Sequence, residues 1–147
     1  MRLVVQRVQE AEVVVDSMTT GRIGKGLMVL LGIHKDDQPQ DTHWLVNKLL
    51  NLRIFNDDQD KMNLSVQDVL GQVLVVSQFT LYGNCSEGRR PEFTQAAPPP
   101  IAIPIYEKFL REVKEVMGDV QAGIFGADMK VSLINDGPVT VIVESKK

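Results

Sequence analysis

The chain has 147 residues, of which 44% are hydrophobic and 24% charged, with a formal net charge of −3 at pH 7. This length and composition exclude a disordered chain and predict one domain spanning residues 1–147. The acidic net charge argues against non-specific nucleic-acid binding and against a DNA partner, because both need many phosphate-neutralising Lys and Arg side chains. The acidic net charge is still compatible with a local basic patch that binds one RNA end.

The cellular compartment is predicted from three features of the sequence. The single cysteine, Cys85, cannot form an internal disulfide, which fits a reducing environment. No apolar stretch approaches the roughly 18 residues that a membrane-spanning helix needs. The first eight residues mix valine with arginine and glutamine, which is typical of a strand and not of a secretion signal. We therefore expect a cytoplasmic protein with no membrane partner.

The first third of the chain is predicted to form strands. The valine-rich segments Arg2–Gln9 and Glu12–Asp16 favour β structure, since β-branched residues are common there. A turn is expected at Ser17–Gly21. The continuous apolar run Gly26–Ile33 is typical of a strand buried on both faces.

Two helices are predicted. The first runs from about Asp41 to Leu52, with Asp41 or Thr42 capping its start. The prolines at 98–100 and 104 delay the second helix, because proline is tolerated only in the first turn of a helix. That helix ends near Gly118. Its predicted apolar face consists of Ile105, Phe109, Val113 and Val116.

The remaining segments complete one α/β domain. A strand is predicted at Gln72–Leu81 and a loop at Asn84–Gln95. Two further strands, Ala122–Leu133 and Val139–Glu144, are separated by turn-forming residues that suggest a tight connection. We predict a mixed or antiparallel sheet, or a barrel-like sheet, with two main helices.

Most familiar catalytic patterns are missing from the sequence. His34 and His43 lie far apart, and neither has a metal-ligand spacing. There is no Gly-x-Ser-x-Gly elbow and no glycine-rich phosphate loop. We therefore predict no metal site.

Two segments are candidates for chemistry. Ser77-Gln78-Phe79-Thr80 ends a buried strand, where backbone N–H groups left free by the sheet can stabilise an oxyanion during acyl transfer. The alternative is an ordinary strand end with polar side chains facing water. In Asn135-Asp136-Gly137-Pro138, glycine permits unusual backbone angles and proline permits a cis bond. Here the alternative is a plain hairpin turn.

Together, Ser77-Gln78-Phe79-Thr80-Leu81 and Asn135-x-Gly137-Pro138-x-Thr140 resemble the two signature motifs of the D-aminoacyl-tRNA deacylase family. The resemblance covers essentially the whole chain. It departs at Gly83, where relatives often have alanine, and in the proline-rich stretch Pro98–Pro104. Further similar segments are Met1-Arg2, Gln6–Val8, Arg53–Phe55, Lys61–Asn63 and Gly88–Pro91.

The resemblance implies a hydrolase that cleaves the ester of D-aminoacyl-tRNA, a chiral proofreading reaction in translation, with no metal or organic cofactor. It implies a homodimer with two active sites at its interface and the tRNA 3′ end as ligand. Ser77 to Thr80 would line one pocket, and Gly137-Pro138 of the partner subunit, with a cis bond, would be inserted into it. Arg7 would brace that turn, and Asn135 belongs to the same motif.

Chiral selection follows from the implied geometry. A rigid wall of Gly137-Pro138 carbonyls would exclude L-amino acids by steric clash, since the mirror images share charge and ester chemistry. Such a filter would also admit glycine, including glycine mischarged on tRNA-Ala. Phe125 is a candidate for stacking on the terminal adenine, although a core phenylalanine is an equal reading, and Met129 matches a pocket position.

Two routes for the chemical step remain open. Thr80 could attack the ester directly, but the sequence places no histidine or lysine base beside it. Alternatively, water or the neighbouring ribose 2′-hydroxyl of the tRNA could do this work, with N–H groups near Phe79 and Thr80 holding the oxyanion. We favour the second route.

Three other functions are alternatives. A related deacylase branch edits a mischarged L-amino acid, which would need a different residue in place of Ser77 and a trans Gly-Pro bond. A non-catalytic tRNA-binding dimer predicts binding without turnover. A structural oligomer predicts neither.

Overall fold

The computed structural model describes residues 1–145. Its longest strand, β1, replaces the two predicted N-terminal strands with one continuous element. In chain order the elements are β1 (Arg2–Val15), β2 (Met18–Ile23), β3 (Gly26–Gly32), α1 (Asp41–Asn51), β4 (Phe55–Asn56), β5 (Met62–Leu64), β6 (Gln72–Ser77), a 3₁₀ helix (Phe79–Tyr82), α2 (Pro99–Met117), β7 (Gln121–Ala122) and β8 (Lys130–Glu144).

The main sheet is mixed and nearly closes on itself. β1 pairs antiparallel with β2, β3 and β8, whereas β3–β6 and β6–β7 are parallel. The two ends of the order β2-β1-β3-β6-β7 come together, where the Arg22 backbone N–H donates to Gln121 Oε1 at 3.3 Å. β4 and β5 form a separate two-stranded sheet. With two helices beside this barrel-like sheet, the predicted fold class is confirmed.

Two hydrophobic clusters lie on opposite sides of the sheet. The larger one joins the sheet to both helices, and Leu49 and Phe109 are fully buried in it. The buried residues of the smaller one all belong to strands: Val8, Ala11, Val13, Ile23, Met28, Leu74 and Val76. Because β3 contributes Val29 to the first and Met28 to the second, it is buried on both faces, as predicted.

Two irregularities in the pairing of β1 with β8 change the face of the sheet to which the side chains of β1 point. Leu3 and Val5 pack in the larger cluster, and Ala11 and Val13, also odd-numbered, pack in the smaller one. The register shifts lie between Gln6 and Val8 and between Val8 and Glu10. A bulge moves alternating side chains to the opposite face, which explains this switch.

The predicted start of the second helix was wrong. α2 begins at Pro99, and Pro104 lies inside it. Pro99 and Pro100 occupy the first turn, where helix N–H groups have no partner within the helix, so neither removes a bond. Pro104 lacks one bond, but the buried face around Ile105 and Phe109 compensates. The predicted end is confirmed by Gly118, which caps the helix at φ 83°.

The predicted cap of the first helix was also wrong. The N-cap of α1 is Gln40, and its side chain makes no capping bond. Asp41 Oδ2 instead accepts from the Gln38 backbone N–H at 2.8 Å, and Thr42 Oγ1 donates to the Pro39 carbonyl at 2.8 Å. Both side chains therefore stabilise the approach to the helix and not its first N–H groups.

Candidate active site

The first predicted motif lies where β6 stops. The strand ends at Ser77, four residues earlier than predicted, because the chain turns at Gln78 with φ −148° and ψ 80°. The Gln78 backbone N–H still donates to the Leu31 carbonyl at 2.8 Å. Phe79 to Tyr82 then form the 3₁₀ helix, so the motif changes from extended to helical within one residue.

The 3₁₀ helix is held against β1 by Arg2. Arg2 Nη1 donates to the Leu81 carbonyl at 2.8 Å, and its guanidinium carbon lies 4.8 Å from the centre of the Tyr82 ring. Burial and the nearby charge of Asp37 raise the pKa of Tyr82 to about 12. Tyr82 therefore stays neutral at physiological pH and serves as a packing residue and not as a base.

Two backbone donors are free beside the motif. Within residues 1–145, the N–H groups of Phe79 and Thr80 have no hydrogen-bond acceptor. They open a 3₁₀ helix, where the first N–H groups have no partner inside the helix. The Thr80 hydroxyl accepts a hydrogen bond from Gln78 Nε2, which draws electron density away from its oxygen. This makes Thr80 a poorer nucleophile and leaves the backbone donors available.

A pocket of about 250 Å³ opens next to these donors. It brings Ser77, Gln78 and Phe79 together with the two other predicted pocket residues, Phe125 and Met129. Thr80 is adjacent in the chain but does not line it within the described residues. The lining consists of Leu31, Ile33, Val76, Ser77, Gln78, Phe79, Ala97, Ala102, Phe125, Gly126, Ala127, Asp128, Met129 and Val131.

Several pocket residues were missed by the sequence analysis. Ala97 and Ala102 come from the start of α2, where their small side chains leave room for the pocket, and no motif indicates them. Gly126 has a positive φ of 78°, which favours glycine. A glycine next to Phe125 is the feature of the sequence that could have indicated this part of the pocket. Asp128 carries the sole carboxylate among the pocket-lining residues of the described chain, and it pairs with Lys130 at 2.8 Å.

Phe125 is both a pocket residue and a packing residue. Its ring lies 5.5 Å from that of Tyr106, with the planes tilted by 58°, and it packs against the larger cluster. Met129 packs against the smaller cluster and over Gly123, where a Cβ would collide with its sulfur. Phe125 and Met129 are therefore positioned by the two hydrophobic clusters on opposite sides of the sheet.

The second predicted motif is a bulge inside β8 and not a hairpin turn. Gln6 pairs with Thr140 and Val8 pairs with Asn135, so the four residues Asp136–Val139 face the single residue Arg7. Both halves of the strand continue along β1 in the same direction. Asn-Asp-Gly-Pro favours a chain reversal in isolation, but pairing with β1 on both sides of the motif overrides that preference.

Arg7 is buried, with 6% of its surface exposed, and it holds the bulge to the body of the protein. Its Nε donates to the Asp136 carbonyl at 3.1 Å and its Nη1 to the Ile54 carbonyl at 2.7 Å. Asn135 Nδ2 closes the base of the bulge by donating to the Arg7 and Val139 carbonyls, both at 3.0 Å. These contacts of Arg7 and Asn135 hold the bulge within one protomer.

The expected cis bond is not found. Every peptide bond among residues 1–145 is trans, including Gly137–Pro138. Trans is the intrinsically favoured X–Pro isomer by about 0.5–1 kcal/mol. Here the change of chain direction is taken up by Gly137, whose φ is 110°. A Cβ at Gly137 would collide with Arg7 Nη2, so this position needs glycine for both its conformation and its space.

The two motifs do not meet within one protomer. The pocket lining, among the residues described, contains none of Arg7, Asn135, Gly137 and Pro138. Gly137 and Pro138 are instead exposed at the tip of the bulge. Any pocket that uses both motifs therefore requires a second chain.

Neither histidine contributes to the pocket in the part of the chain that the structure covers. His34 Nε2 lies 2.9 Å from Gln95 Oε1, and His43 lies on the exposed side of α1, 3.4 Å from Glu112. Residues 1–145 contain no group of three or more His, Cys, Asp or Glu side chains placed to hold a metal ion. Among the same residues, no helix has both the length and the apolarity to cross a membrane.

A nearly closed mixed sheet with two helices carries a strand-end pocket beside free main-chain donors, an arrangement that suits acyl transfer. The family model described as D-Tyr-tRNA(Tyr) deacylase matches residues 4–144. The chain belongs to that family, and it is a hydrolase of this type, which confirms the predicted resemblance and the predicted enzyme class.

Individual relatives agree with this assignment. The D-aminoacyl-tRNA deacylase of Geotalea uraniireducens (strain Rf4) is 56% identical over 147 residues, which cover 100% of this chain and 95% of the relative. That of Thermosipho africanus (strain TCF52B) is 53% identical and covers 100% and 99%.

Two solved structures share the fold. One described as c-Myc DNA Unwinding Element Binding Protein has a TM-score of 0.93 at 40% identity and covers 100% of both chains. A probable eukaryotic D-amino acid tRNA deacylase has a TM-score of 0.84 at 20% identity and covers 97% of both.

Proposed function

We propose that the pocket at Ser77–Phe79 binds the D-aminoacylated 3′ end of tRNA, and that the backbone N–H groups of Phe79 and Thr80 stabilise the oxyanion formed from the ester carbonyl. The observation that carries this proposal is the pair of free N–H groups beside the pocket. Main-chain donors fixed before the reaction are well suited to a developing negative charge, since they need no reorganisation. The same chemistry requires neither a metal nor an organic cofactor.

We further propose that the enzyme works as a homodimer in which the bulge of one subunit closes the pocket of the other. Support comes from the separation of the two motifs within one chain and from the exposure of Gly137 and Pro138. The bulge carbonyls would then exclude the L-amino acid sterically and admit the D form and glycine, including glycine on tRNA-Ala. We also propose a cytoplasmic location, which an aminoacyl-tRNA substrate supports.

The selectivity is tested by deacylation of D-tyrosyl-tRNA and L-tyrosyl-tRNA by the purified protein. We expect rapid hydrolysis of the D ester, little of the L ester, and a dimeric mass by analytical ultracentrifugation. Preferential hydrolysis of an L ester would support the L-editing branch instead. The trans bond at Gly137–Pro138 favours that branch, whereas Ser77 favours the D-specific one. Binding without turnover would support the non-catalytic dimer, and absence of both would support a structural oligomer.

For the attacking group we propose water, either alone or with the ribose 2′-hydroxyl relaying its proton, because attack by the 2′-hydroxyl itself would only move the acyl group to O2′ and release no amino acid. Replacing Thr80 with alanine should leave kcat within about tenfold of the wild-type value, because the side chain that bonds the Thr80 hydroxyl among residues 1–145 is the neutral amide of Gln78 and not a base. Single-turnover deacylation of D-tyrosyl-tRNA measures this. A loss above a thousandfold with an unchanged melting temperature would identify Thr80 as the nucleophile. Substrate ending in 2′-deoxyadenosine then tests the relay, since loss of its hydrolysis shows that the 2′-hydroxyl assists the attack of water.

A role on DNA is a separate candidate, raised by the name of the similar c-Myc element-binding structure. The net charge of −3 argues against it. We expect excess duplex DNA to leave the deacylation rate unchanged at moderate salt.

A further inference from the structure

Two aromatic rings extend the pocket outward onto the surface. Phe79 lines the pocket and is 57% exposed, and Phe93 beside it is 38% exposed. Their ring centres lie 5.3 Å apart with planes at 71°. Exposed phenylalanines are costly to solvate, and a contiguous pair at the edge of a binding pocket indicates a surface that a ligand covers.

The position of Phe93 is fixed by the backbone around it. A Cβ at Gly83 would lie 2.9 Å from Phe93 Cε1, so glycine at this departure from the family pattern allows the ring to lie directly against the main chain. Asn84 and Glu92 exchange two backbone hydrogen bonds of 2.8 and 3.1 Å, which close the loop just before the ring. Phe93 is therefore held at the surface on a rigid base.

Two arginines without partners project from the same loop. Arg89 and Arg90 are exposed, and neither side chain makes a hydrogen bond or an ion pair with any residue in the range 1–145. The carboxylate of Glu92 is instead occupied by Thr94, whose hydroxyl and backbone N–H keep the pKa of Glu92 below its usual value. The loop thus presents two available cations a few residues from an exposed ring.

We propose that Phe79, Phe93, Arg89 and Arg90, named here the aromatic–arginine surface, bind the single-stranded nucleotides that immediately precede the esterified adenosine of the tRNA. This inference rests on the proposed function, because the pocket must hold that adenosine. Bases stack on exposed aromatic rings without regard to sequence, and Arg side chains neutralise the phosphates between them. A protein with a net charge of −3 can hold one RNA end in this way.

The test compares two substrates, D-tyrosyl-tRNA and 3′-O-D-tyrosyl-adenosine, which lacks the preceding nucleotides. The measured quantity is the ratio of kcat/KM on tRNA to kcat/KM on the adenosine ester. We expect this ratio to fall at least about fivefold for Phe93→Leu, which is the lower end of the loss for one stacked base. For the double variant Arg89→Ala/Arg90→Ala we expect a reduced ratio. The slope of log KM against the logarithm of the salt concentration should also fall by about 1.4, because two phosphate contacts are lost.

Matched controls lie on the two helices. Trp44→Leu removes another exposed aromatic ring and Arg111→Ala another exposed arginine, and both should leave the ratio unchanged. The arginine variants break no intramolecular contact of the described chain, so they test the inference even where Phe93→Leu lowers stability.

The outcomes separate the two proposals. A wild-type enzyme that hydrolyses neither substrate would refute the proposed function, and the inference with it. A wild-type enzyme active on both, with an unchanged ratio in both variants, would refute the aromatic–arginine surface alone. An unchanged ratio together with a shifted monomer–dimer equilibrium for Phe93→Leu would likewise overturn it and assign the rings to a protein contact.

Discussion

Replacing Gly137 with alanine is expected to cause the largest loss of chiral selectivity. The new Cβ would collide with Arg7 Nη2, and a φ of 110° is strained for any residue with a side chain. Either the Arg7 guanidinium that holds the bulge or the bulge itself must then move, and a displacement near 1 Å at a reacting site can cost about 100-fold in rate. We expect kcat/KM on D-tyrosyl-tRNA to fall by that order and the preference for the D over the L ester to shrink, as measured by single-turnover deacylation.

Gly118→Ala provides the matched control for this variant. Gly118 also has a positive φ, of 83°, but a Cβ there meets nothing within 4 Å. Gly118→Ala should lower the free energy of unfolding by about 1 kcal/mol, through backbone strain alone, and leave the preference for the D ester unchanged. If Gly137→Ala keeps the wild-type preference for the D ester, the bulge is not the selective element.

Replacing Arg7 with alanine is expected to cause the largest loss of stability. The change leaves the buried Ile54 carbonyl and the partly buried Asp136 carbonyl without their donor. Leaving a hydrogen-bonding group without its partner costs about 1–3 kcal/mol, so the loss of both bonds removes a sizeable part of the stability of a domain this size. Urea denaturation monitored by circular dichroism measures this loss. Activity should fall further than stability alone explains, because the bulge loses its brace.

Two further variants make the Arg7 result interpretable. Arg7→Lys keeps the charge but not the planar fork that reaches two carbonyls, so it should be intermediate and remain folded. Arg22→Ala removes an exposed ion pair with Glu12, at 3.4 Å, and should cost at most about 1 kcal/mol. Equal losses for Arg7→Ala and Arg22→Ala would show that the buried contacts contribute nothing.

Local patterns predicted most of the fold. Apolar runs and helical spacing identified β3, β6, α1 and the end of α2, because burial imposes these periods directly on the sequence. The helix α2 begins earlier than the prolines indicate because Pro104 is tolerated inside it, where the buried face around Ile105 and Phe109 compensates for the missing bond. The Asn135–Pro138 segment was misread as a hairpin because its residues suit a turn and a bulge equally, and pairing with β1 decides between them.

The candidate site was only partly predictable for a related reason. Ser77, Gln78 and Phe79 could be placed in a pocket with Phe125 and Met129 by their motifs. Ala97 and Ala102 could not, because small apolar side chains carry no chemical signal. The exposure of Phe93 also depends on tertiary packing that no local pattern records.

A reaction centre whose donors belong to Phe79 N–H and Thr80 N–H would have an unusual genetic consequence. Every amino acid except proline supplies the same amide hydrogen, so conventional mutagenesis can pass over both positions without touching the groups that hold the charge. Exchanging the peptide amide for an ester, by incorporation of an α-hydroxy acid at either position, deletes the hydrogen while sparing the side chain. Side chains that line this pocket could therefore change during evolution while the backbone N–H groups that stabilise the oxyanion were retained through almost every amino-acid substitution.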